Sequence, residues 1–523
     1  MSHSDRPTDS RLPALTVRRP PLLLAVFTAG LVSLAVELSA FRLFAPVFGT
    51  ANLISAVVIG LILLYLAAGY VIGGRWADRD PRALTLYRLM AVAALLVGLI
   101  PFIAQPLLRA ARDGLQDLLN LDVSLAVLAF GVTLVLFAVP VTLLGCVSPF
   151  ALRLSFGRVD QSGRVAGRLY AVSTLGSFIG SFLPELVLLN LVGTRGTFVV
   201  LALVLFVVAL IGLGRRGWPF LWVPIGLVAL QVLLPATFSD LPGTLYQGES
   251  SYNYIQVVQR GGTRYLLLNE GQGIHSIYNP AQLATNGTWD YFTLAPYFNP
   301  PPYSADRVQR VAIVGLAGGS LARLFTALYG PVPIDGIEID PEIVAVGRRY
   351  FDMTEPNLNV IVGDGRAAFN ALPHRYSLIA VDAFRVPYLP WHLTTLEYFA
   401  LLRDHLTPDG VVAVNVGRTT VDYRLVDAVA ATAARVFPSV HVVDVATSLN
   451  SIVYATNQPT SVEDLQRNLA AAPPLVSSIA QRALLHVRIP DPAAAVFTDD
   501  NAPVERLTNA LLLNFLFGRD RSP

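Results

Sequence analysis

Four positions in the second half of the chain carry residues suited to nucleoside binding, and each stands at the carboxyl end of a predicted β-strand. They are the turn Gly315–Ser320, Glu338, the pair Asp364-Gly365, and Asp382. A glycine-rich turn that opens a helix lets the backbone approach a ligand and favours a polar or anionic group. A carboxylate at the second strand end can accept from the ribose hydroxyls, and one at the third can accept from an adenine amino group. Their order therefore predicts a nucleoside site of the S-adenosyl type.

Each of these positions has a structural alternative when it is taken alone. Asp364 stands where a helix N-cap is expected, and Asp382 suits a turn. Two interpretations of Glu338 stay open: it binds a ligand, or it is an exposed acid with no ligand. A dinucleotide site, and with it an NAD-linked oxidoreductase, is disfavoured, because the G-x-G-x-x-G spacing needs glycine where the chain has Ala317 and Ser320.

Alternating strands and helices must position these residues. Candidate strands are 309–314, 334–339, 358–362, 376–381, 410–416 and 438–444. Candidate helices are 319–329, 341–350, 365–371, 393–405 and 421–436. The alternation predicts an α/β fold with a doubly wound, mainly parallel sheet, whose ligands bind at the carboxyl ends of the strands. Two β-rich runs within 252–268 flank Gly261-Gly262, which predicts a β-hairpin that serves as a lid.

The first half of the chain avoids charge. Charged residues make up only 14% of the sequence, against about 25% in a soluble domain. Seven apolar runs approach the roughly 20 residues of a membrane helix. They are 21–44, 52–74, 86–108, 124–146, 168–192, 196–214 and 217–236. We therefore expect a tail at 1–20, an all-α transmembrane domain at 21–236, a β-hairpin region at 237–300 and a nucleoside-binding domain at 301–523.

The arginines between these runs predict an orientation. They cluster in the N-terminal tail and in every second loop, which places the N-terminus in the cytoplasm of a cell membrane. With seven spans, this count places the second half outside. A donor of the S-adenosyl type is cytoplasmic, so function instead favours a cytoplasmic α/β domain.

Composition limits other chemistries. Every basic residue is an arginine and the net charge is +2, so no lysine can act as a base, and nucleic acid is not an expected partner. Cys146 is the single cysteine, which excludes an intrachain disulfide and a cysteine metal cluster, and we expect no metal. Glu37 and Glu185 lie within apolar runs, where they suit a helix–helix contact or a substrate or proton path.

Several motifs resemble the spermidine synthase (polyamine aminopropyltransferase) family, in its membrane-fused branch, over about residues 245–420. They are SYNYI at 251–255, VAIVGLAGGSLARLF at 311–325, EIDPEIVAVGRRYF at 338–351, NVIVGDG at 359–365, and Asp382 with HLTTLEYFALLRDHLTPDGVV at 392–412. The tail Thr498-Asp499-Asp500, with Pro503 and Glu505, looks like that branch as well. The resemblance implies the class I S-adenosylmethionine-dependent transferase fold, with decarboxylated S-adenosylmethionine or S-adenosylmethionine as co-substrate.

The resemblance also implies roles for single residues. Donor-binding residues would be Asn253, Gly315, Gly318, Gly319, Glu338, Asp364 and Gly365. Acceptor-binding residues would be Tyr252, Glu270 and Arg385. Catalytic residues would be Asp382, Asp499 and Asp500.

Three positions depart from the family pattern. Ala317 stands where the glycine loop normally holds an aspartate, Asn253 stands for a glutamine, and Arg385 replaces the catalytic acid of the gate loop. A carboxylate must take the proton of the attacking amine, and an arginine repels a polyamine. The pair Asp499-Asp500 is a candidate substitute, with a solvated turn as its alternative.

The favoured function is membrane-bound aminopropyl transfer to a polyamine such as putrescine. The alternatives are methyl transfer to another acceptor, with Arg385 recognising a carboxylate or phosphate, and a transporter or sensor that binds a polyamine or nucleoside without chemistry. The expected partners are the bilayer, a small acceptor and, as an option, a second copy of the chain. His275 and His392 lie near predicted loops of the site and are interpreted as incidental.

Overall fold

The computed structural model describes residues 19–48, 52–117, 125–155, 162–234, 241–269, 273–384 and 389–516. These residues form two compact units, a helical unit within residues 19–234 and an α/β unit that contains the residues after 240 together with the short segments 45–48, 112–117 and 125. The expected boundary at 236/237 lies outside the described residues. Each unit is considered by itself below.

The predicted apolar runs fall on the helices of the first unit. The helices are α1 (Arg19–Phe48), α2 (Asn52–Arg79), α3 (Ala83–Asp117), α4 (Leu125–Ser155), α5 (Ser162–Leu183), α6 (Leu189–Leu213) and α7 (Trp222–Leu233). A π-helical turn at Pro184–Leu188 joins α5 to α6, and a 3-10 turn at Gly214–Phe220 precedes α7. Apolar side chains on all sides of these helices, with most charges near their ends, favour this all-α arrangement.

Five helices of the described residues are long and apolar enough to cross a membrane. One of them, Gly163–Phe220, has 58 residues, which is about 87 Å of helix against a hydrocarbon core of about 30 Å. Gly193 interrupts it, because its φ of 68° and ψ of 178° are not helical. This segment is therefore long enough for more than one crossing, and the unit is compatible with a multi-pass membrane protein.

Glycines spaced four residues apart bring two pairs of helices into close contact. A Cβ added at Gly176 or Gly180 of α5 would lie 2.1 or 2.2 Å from the carbonyl oxygens of Phe27 and Leu31 of α1. The pair α2 and α4 meets in the same way at Gly69, Gly73, Thr142 and Cys146. Such spacing lets helix backbones approach where larger side chains would hold them apart.

We expect Gly176→Ala to lower the melting temperature of the helical unit, since the new methyl group overlaps the backbone of α1, at a cost of about 1–3 kcal/mol. Cys146 is buried, so its reaction with a thiol-reactive dye during heating in detergent reports the unfolding of this unit. The matched control is Gly167→Ala on the same helix, where a Cβ meets no atom within 4 Å. Equal melting temperatures for the two variants would contradict the proposed tight contact.

The two acids within the apolar runs have different surroundings. Glu185 accepts two hydrogen bonds from the guanidinium of Arg42, at 3.2 and 3.0 Å, which makes a helix–helix contact. Glu37 is buried with 8% of its surface exposed.

A small antiparallel sheet opens the α/β unit. Its strands are β1 (Thr244–Glu249), β2 (Tyr254–Arg260), β3 (Thr263–Leu268) and β4 (Gly273–Tyr278), in the order β1-β2-β3-β4. Gly261, with φ of 59°, forms the tight turn between β2 and β3. The predicted hairpin is thus confirmed as part of a four-stranded sheet, and its role as a lid stays a prediction.

The main sheet has eight strands. They are β5 (Val311–Val314), β6 (Ile334–Glu338), β7 (Leu358–Val362), β8 (Tyr376–Val381), β9 (Leu406–Gly417), β10 (Ser439–Asp444), β11 (Asn450–Thr456) and β12 (Val487–Arg488). The order is β12-β10-β11-β9-β8-β5-β6-β7. The five strands from β9 to β7 are parallel, and β11, β10 and β12 extend them antiparallel.

Helices cover both faces of the main sheet. They are α8 (Thr288–Phe292), α9 (Ser320–Tyr329), α10 (Pro341–Tyr350), α11 (Gly365–Ala371), α12 (Leu396–Asp404), α13 (Arg424–Ala433), α14 (Val462–Asn468), α15 (Pro474–Ala483) and α16 (Val504–Leu516). Two apolar cores result, one on each face, and β5 is buried on both sides. From β5 the chain adds β6 and β7 on one side and β8 and β9 on the other. This switch point opens the crevice where doubly wound sheets bind ligands.

Candidate nucleoside site

The glycine turn after β5 lies against the end of β8. Gly315 has φ of 88°, and a Cβ there would lie 2.5 Å from the carbonyl oxygen of Asp382, so only glycine fits. Ala317 also has a positive φ, of 49°. The amides of Ala317 and Gly318 donate to Glu338 Oε2 at 2.9 Å and Ser276 Oγ at 2.8 Å. The turn therefore allows close approach of a ligand, while these two N–H groups are bound within the protein.

Glu338 ends β6 with its carboxylate fixed between two backbone amides. Besides Ala317, the amide of Asp340 donates to its Oε1 at 3.1 Å. The side chain is 7% exposed, and burial raises its pKa above the ordinary value against the effect of these hydrogen bonds. Each carboxylate oxygen keeps a lone pair, which suits a pair of vicinal ribose hydroxyls.

Asp340 connects the small sheet to this strand end. Its Oδ1 accepts from the amide of Glu342 and caps α10, as the sequence predicted. Its Oδ2 accepts from Ser250 Oγ at 2.5 Å and from Asn253 Nδ2 at 3.0 Å. The predicted donor-binding residue Asn253 thus holds the loop beside Glu338, and the neighbouring Tyr252 is 40% exposed.

Asp364 follows β7, and both of its oxygens have partners. Oδ1 accepts from the amide of Ala367 at 2.9 Å and caps α11. Oδ2 lies 2.9 Å from His392 Nε2. Burial by itself raises the pKa of Asp364, but the hydrogen bonds from Ala367 and His392 together outweigh it, so the pKa lies below its ordinary value. The carboxylate is therefore ionised at neutral pH and acts only as an acceptor.

Asp382 follows β8 and is partly accessible to solvent, yet protein atoms enclose its carboxyl group. This enclosure raises the pKa of Asp382 to about 7, against hydrogen bonds from Asn415 and Trp289. Asn415 Nδ2 donates at 2.8 Å, and Asn450 Nδ2 donates in turn to Asn415 Oδ1 at 2.9 Å. A carboxyl group that titrates near neutrality can gain and lose a proton at working pH, which is what a general base requires.

Asp499 is held in an ion pair. Arg366 donates to both of its oxygens at 2.7 and 2.6 Å, and Thr395 Oγ1 donates at 2.7 Å. The hydrogen bond from Arg366 is the largest influence and lowers the pKa of Asp499. Asp500 is exposed. The predicted catalytic roles of this acidic pair stay predictions, and Asp499 would have to leave Arg366 to accept a proton from substrate.

Other predicted residues stand apart from these contacts. Glu270 and Arg385 lie outside the described residues. Gly365 is buried at the start of α11, and a Cβ at Gly319, where φ is 88°, would overlap Met353. Within the described ranges, no three His, Cys, Asp or Glu side chains group as a metal site.

Sequence reasoning missed three contributors, Ser276, Trp289 and Asn415, and it placed a fourth, His392, near the site but interpreted it as incidental, whereas its Nε2 lies 2.9 Å from Asp364 Oδ2. Asn415 carried a signal, because it interrupts the apolar run of β9 and a buried amide needs a partner. It is 6% exposed. The other three reach the site only through tertiary contacts from the small sheet, from α8 and from the loop before α12.

Known proteins resemble the α/β unit. Residues 299–460 match the Spermine/spermidine synthase domain. The chain is 30% identical over 294 residues to a probable polyamine aminopropyl transferase of Bifidobacterium longum, over 50% of this chain and 61% of the relative. It is 33% identical over 130 residues to a polyamine aminopropyltransferase of Vibrio vulnificus, over 24% of this chain and 42% of the relative. The matches thus span less than two thirds of these relatives.

Solved structures are more distant. The crystal structure of a probable spermidine synthase from Corynebacterium glutamicum ATCC 13032 has 20% sequence identity and a TM-score of 0.40, over 50% of this chain and 97% of that one.

Proposed function

Because the α/β unit of this chain belongs to the spermidine synthase family, we propose that the protein is a membrane-bound transferase that moves an aminopropyl group from decarboxylated S-adenosylmethionine to a polyamine such as putrescine. One observation supports the proposal independently of the family: a glycine turn and three carboxylates lie at the carboxyl ends of adjacent strands. Their order along the sheet suits a nucleoside and, beside it, a reacting amine. Glu338 serves the ribose, Asp364 the adenine and Asp382 the amine.

The reaction needs a base and a positioned nucleophile. The nitrogen lone pair of the amine attacks the carbon beside the sulfonium, the carbon–sulfur bond breaks, and its electrons neutralise the sulfur, leaving methylthioadenosine. Asp382 accepts the proton that the amine loses, and Asn415 and Trp289 hold its carboxylate in place. A base whose pKa lies near the working pH serves this step well.

The test is turnover by the full-length protein in detergent or liposomes. Incubation with decarboxylated S-adenosylmethionine and putrescine should produce spermidine and methylthioadenosine in equal amounts, and S-adenosylmethionine is the comparison donor. If the protein turns over S-adenosylmethionine but not its decarboxylated form, the reaction is methyl transfer and the proposed aminopropyl transfer is wrong. The proposal would be overturned if neither spermidine nor methylthioadenosine is produced and the protein also does not bind methylthioadenosine.

We further propose that the protein is a multi-pass membrane protein, and contacts within the helical unit bear on its orientation. Arg195 at the start of α6 donates to the carbonyl oxygens of Leu230 and Leu234, at 2.7 and 3.0 Å. The end of α7 therefore returns to the level at which α6 begins. The turn with Arg215 and Arg216 lies at the other end of these two helices.

These contacts make the orientation a test of the enzyme. The arginine bias puts the ends of α2, α4 and α6 in the cytoplasm, so residue 234 would face the opposite side. Aminopropyl transfer requires the reverse, since the donor is cytoplasmic. A reporter fused after residue 523 should be active in the cytoplasm if the proposed reaction is correct, with a fusion in the loop after α2 as the matched control. Activity of the C-terminal fusion on the other side would leave the enzyme without its donor.

A further inference from the structure

We propose that His392 controls how tightly the site holds an adenine nucleoside, because it competes with the base for Asp364. The inference rests on the proposed nucleoside site and adds a residue to it. It makes His392 a residue that limits donor affinity.

The competition follows from the two oxygens of Asp364. Oδ1 is used by the cap of α11, through the amide of Ala367 at 2.9 Å. Oδ2 is the remaining oxygen, and His392 Nε2 lies 2.9 Å from it. Each of these oxygens keeps one lone pair, so an adenine amino group that approaches Asp364 must displace the imidazole or share a carboxylate oxygen with the imidazole or with the amide of Ala367. Either outcome weakens the hydrogen bond to the base.

The roles of donor and acceptor are set by charge. An ionised carboxylate only accepts, so His392 Nε2 carries the proton in this contact. A neutral imidazole makes an ordinary hydrogen bond to the carboxylate, whereas an imidazolium makes a charge-assisted one of about twice the strength. In both forms the imidazole occupies Oδ2 and competes with the base for it.

Neighbouring groups hold His392 at this position. Arg366 Nη1 donates to its carbonyl oxygen at 3.3 Å, and the ring of Trp391 packs edge-on with centroids 5.8 Å apart. Among the described residues, Asp364, Arg366 and Asp499 are charged groups near the imidazole, with Glu397 bound to the amide of Asp499. Arg366 and Asp499 form an ion pair with each other, and Asp364 is the carboxylate that lies within hydrogen-bond distance of the imidazole.

The experiment is calorimetric titration of the full-length protein in detergent with methylthioadenosine. His392→Ala removes the competitor, so it should bind about three- to tenfold more tightly than wild type. His392→Gln keeps an amide donor at this position, so its affinity should stay near the wild-type value.

His374→Ala, a histidine change in the loop before β8, is the matched control and should leave the affinity unchanged. Equal affinities of wild type and His392→Ala, or weaker binding by His392→Ala, would overturn the competition and leave the proposed function standing. If neither wild type nor any variant binds methylthioadenosine, the nucleoside site itself and the proposed function both fail.

Discussion

Asp382→Asn should lower the rate of aminopropyl transfer by at least about 100-fold, because the amide cannot accept the proton of the attacking amine. The wild-type rate should rise with pH through about 7, where Asp382 loses its proton, and this rise should be absent from the residual rate of the variant. The measurement is kcat/KM for putrescine across the pH range in the full-length protein. Asp404→Asn on the exposed end of α12 is the matched control.

A measurement of thermal stability distinguishes loss of the catalytic base from unfolding of the Asp382→Asn variant. Burial raises the pKa of Asp382 from the model-compound value of 3.8 to about 7, so the folded state binds its proton more tightly than the unfolded state does. Stability contributed by this group is present below about pH 4 and is lost as the pH rises to about 7. Asp382→Asn should therefore be at least as stable as wild type at pH 8. An inactive variant that melts earlier than wild type at pH 8 would point to structural damage instead.

The fold of the α/β unit could be predicted closely because its elements are marked by local patterns. Each parallel strand is a short apolar run buried on both sides, and each is followed by a cap or a glycine that starts the next helix. The strand β11 was not predicted, because residues 450–456 continue a β-rich segment and only the reversal at 445–449 shows that they form a second strand. The helices of the first unit could be predicted from the length of the apolar runs. The break at Gly193 could not, because a single glycine is its only signal in the sequence.

Only the site residues that stand at strand ends could be predicted from the sequence. Glu338, Asp364 and Asp382 stand at those ends, so their proximity follows from the topology of a parallel sheet. Their partners come from distant segments: Asn253 binds Asp340, and His392 binds Asp364. Sequence also treated ligand binding and helix capping as alternatives for Asp364, yet a carboxylate has two oxygens, and the cap uses only one.

The acids Asp499 and Asp500 show that the sequence does not reveal which carboxylates are paired in the folded protein. Asp499-Asp500 resembled a spare carboxylate pair, and the structure gives Asp499 a bidentate arginine partner. The partner, Arg366, lies 133 residues earlier, two residues after the predicted adenine ligand Asp364. Such a pairing depends on how the tail folds back over α11 and α12, which no local pattern specifies.

Glu338→Gln should weaken methylthioadenosine binding by about 100-fold. The glutamine has one acceptor oxygen where the carboxylate has two, so the amide of Ala317 or of Asp340 loses its partner, and one ribose hydroxyl loses its acceptor. Glu342→Gln, the same change four residues later on α10, is the control and should bind as wild type does. Binding is measured by calorimetry on the full-length protein.

A second ligand distinguishes contact with ribose from a general disturbance of the turn. The 2′-deoxy analogue of methylthioadenosine lacks one hydroxyl, so wild type should bind it at least about tenfold more weakly than the ribose form. If Glu338 is the acceptor for that hydroxyl, Glu338→Gln should bind both ligands with similar, low affinity. A variant that weakens both ligands equally and keeps the wild-type preference for ribose would show that Glu338 only supports the backbone of the turn, and the assignment of the ribose site to β6 would then be wrong.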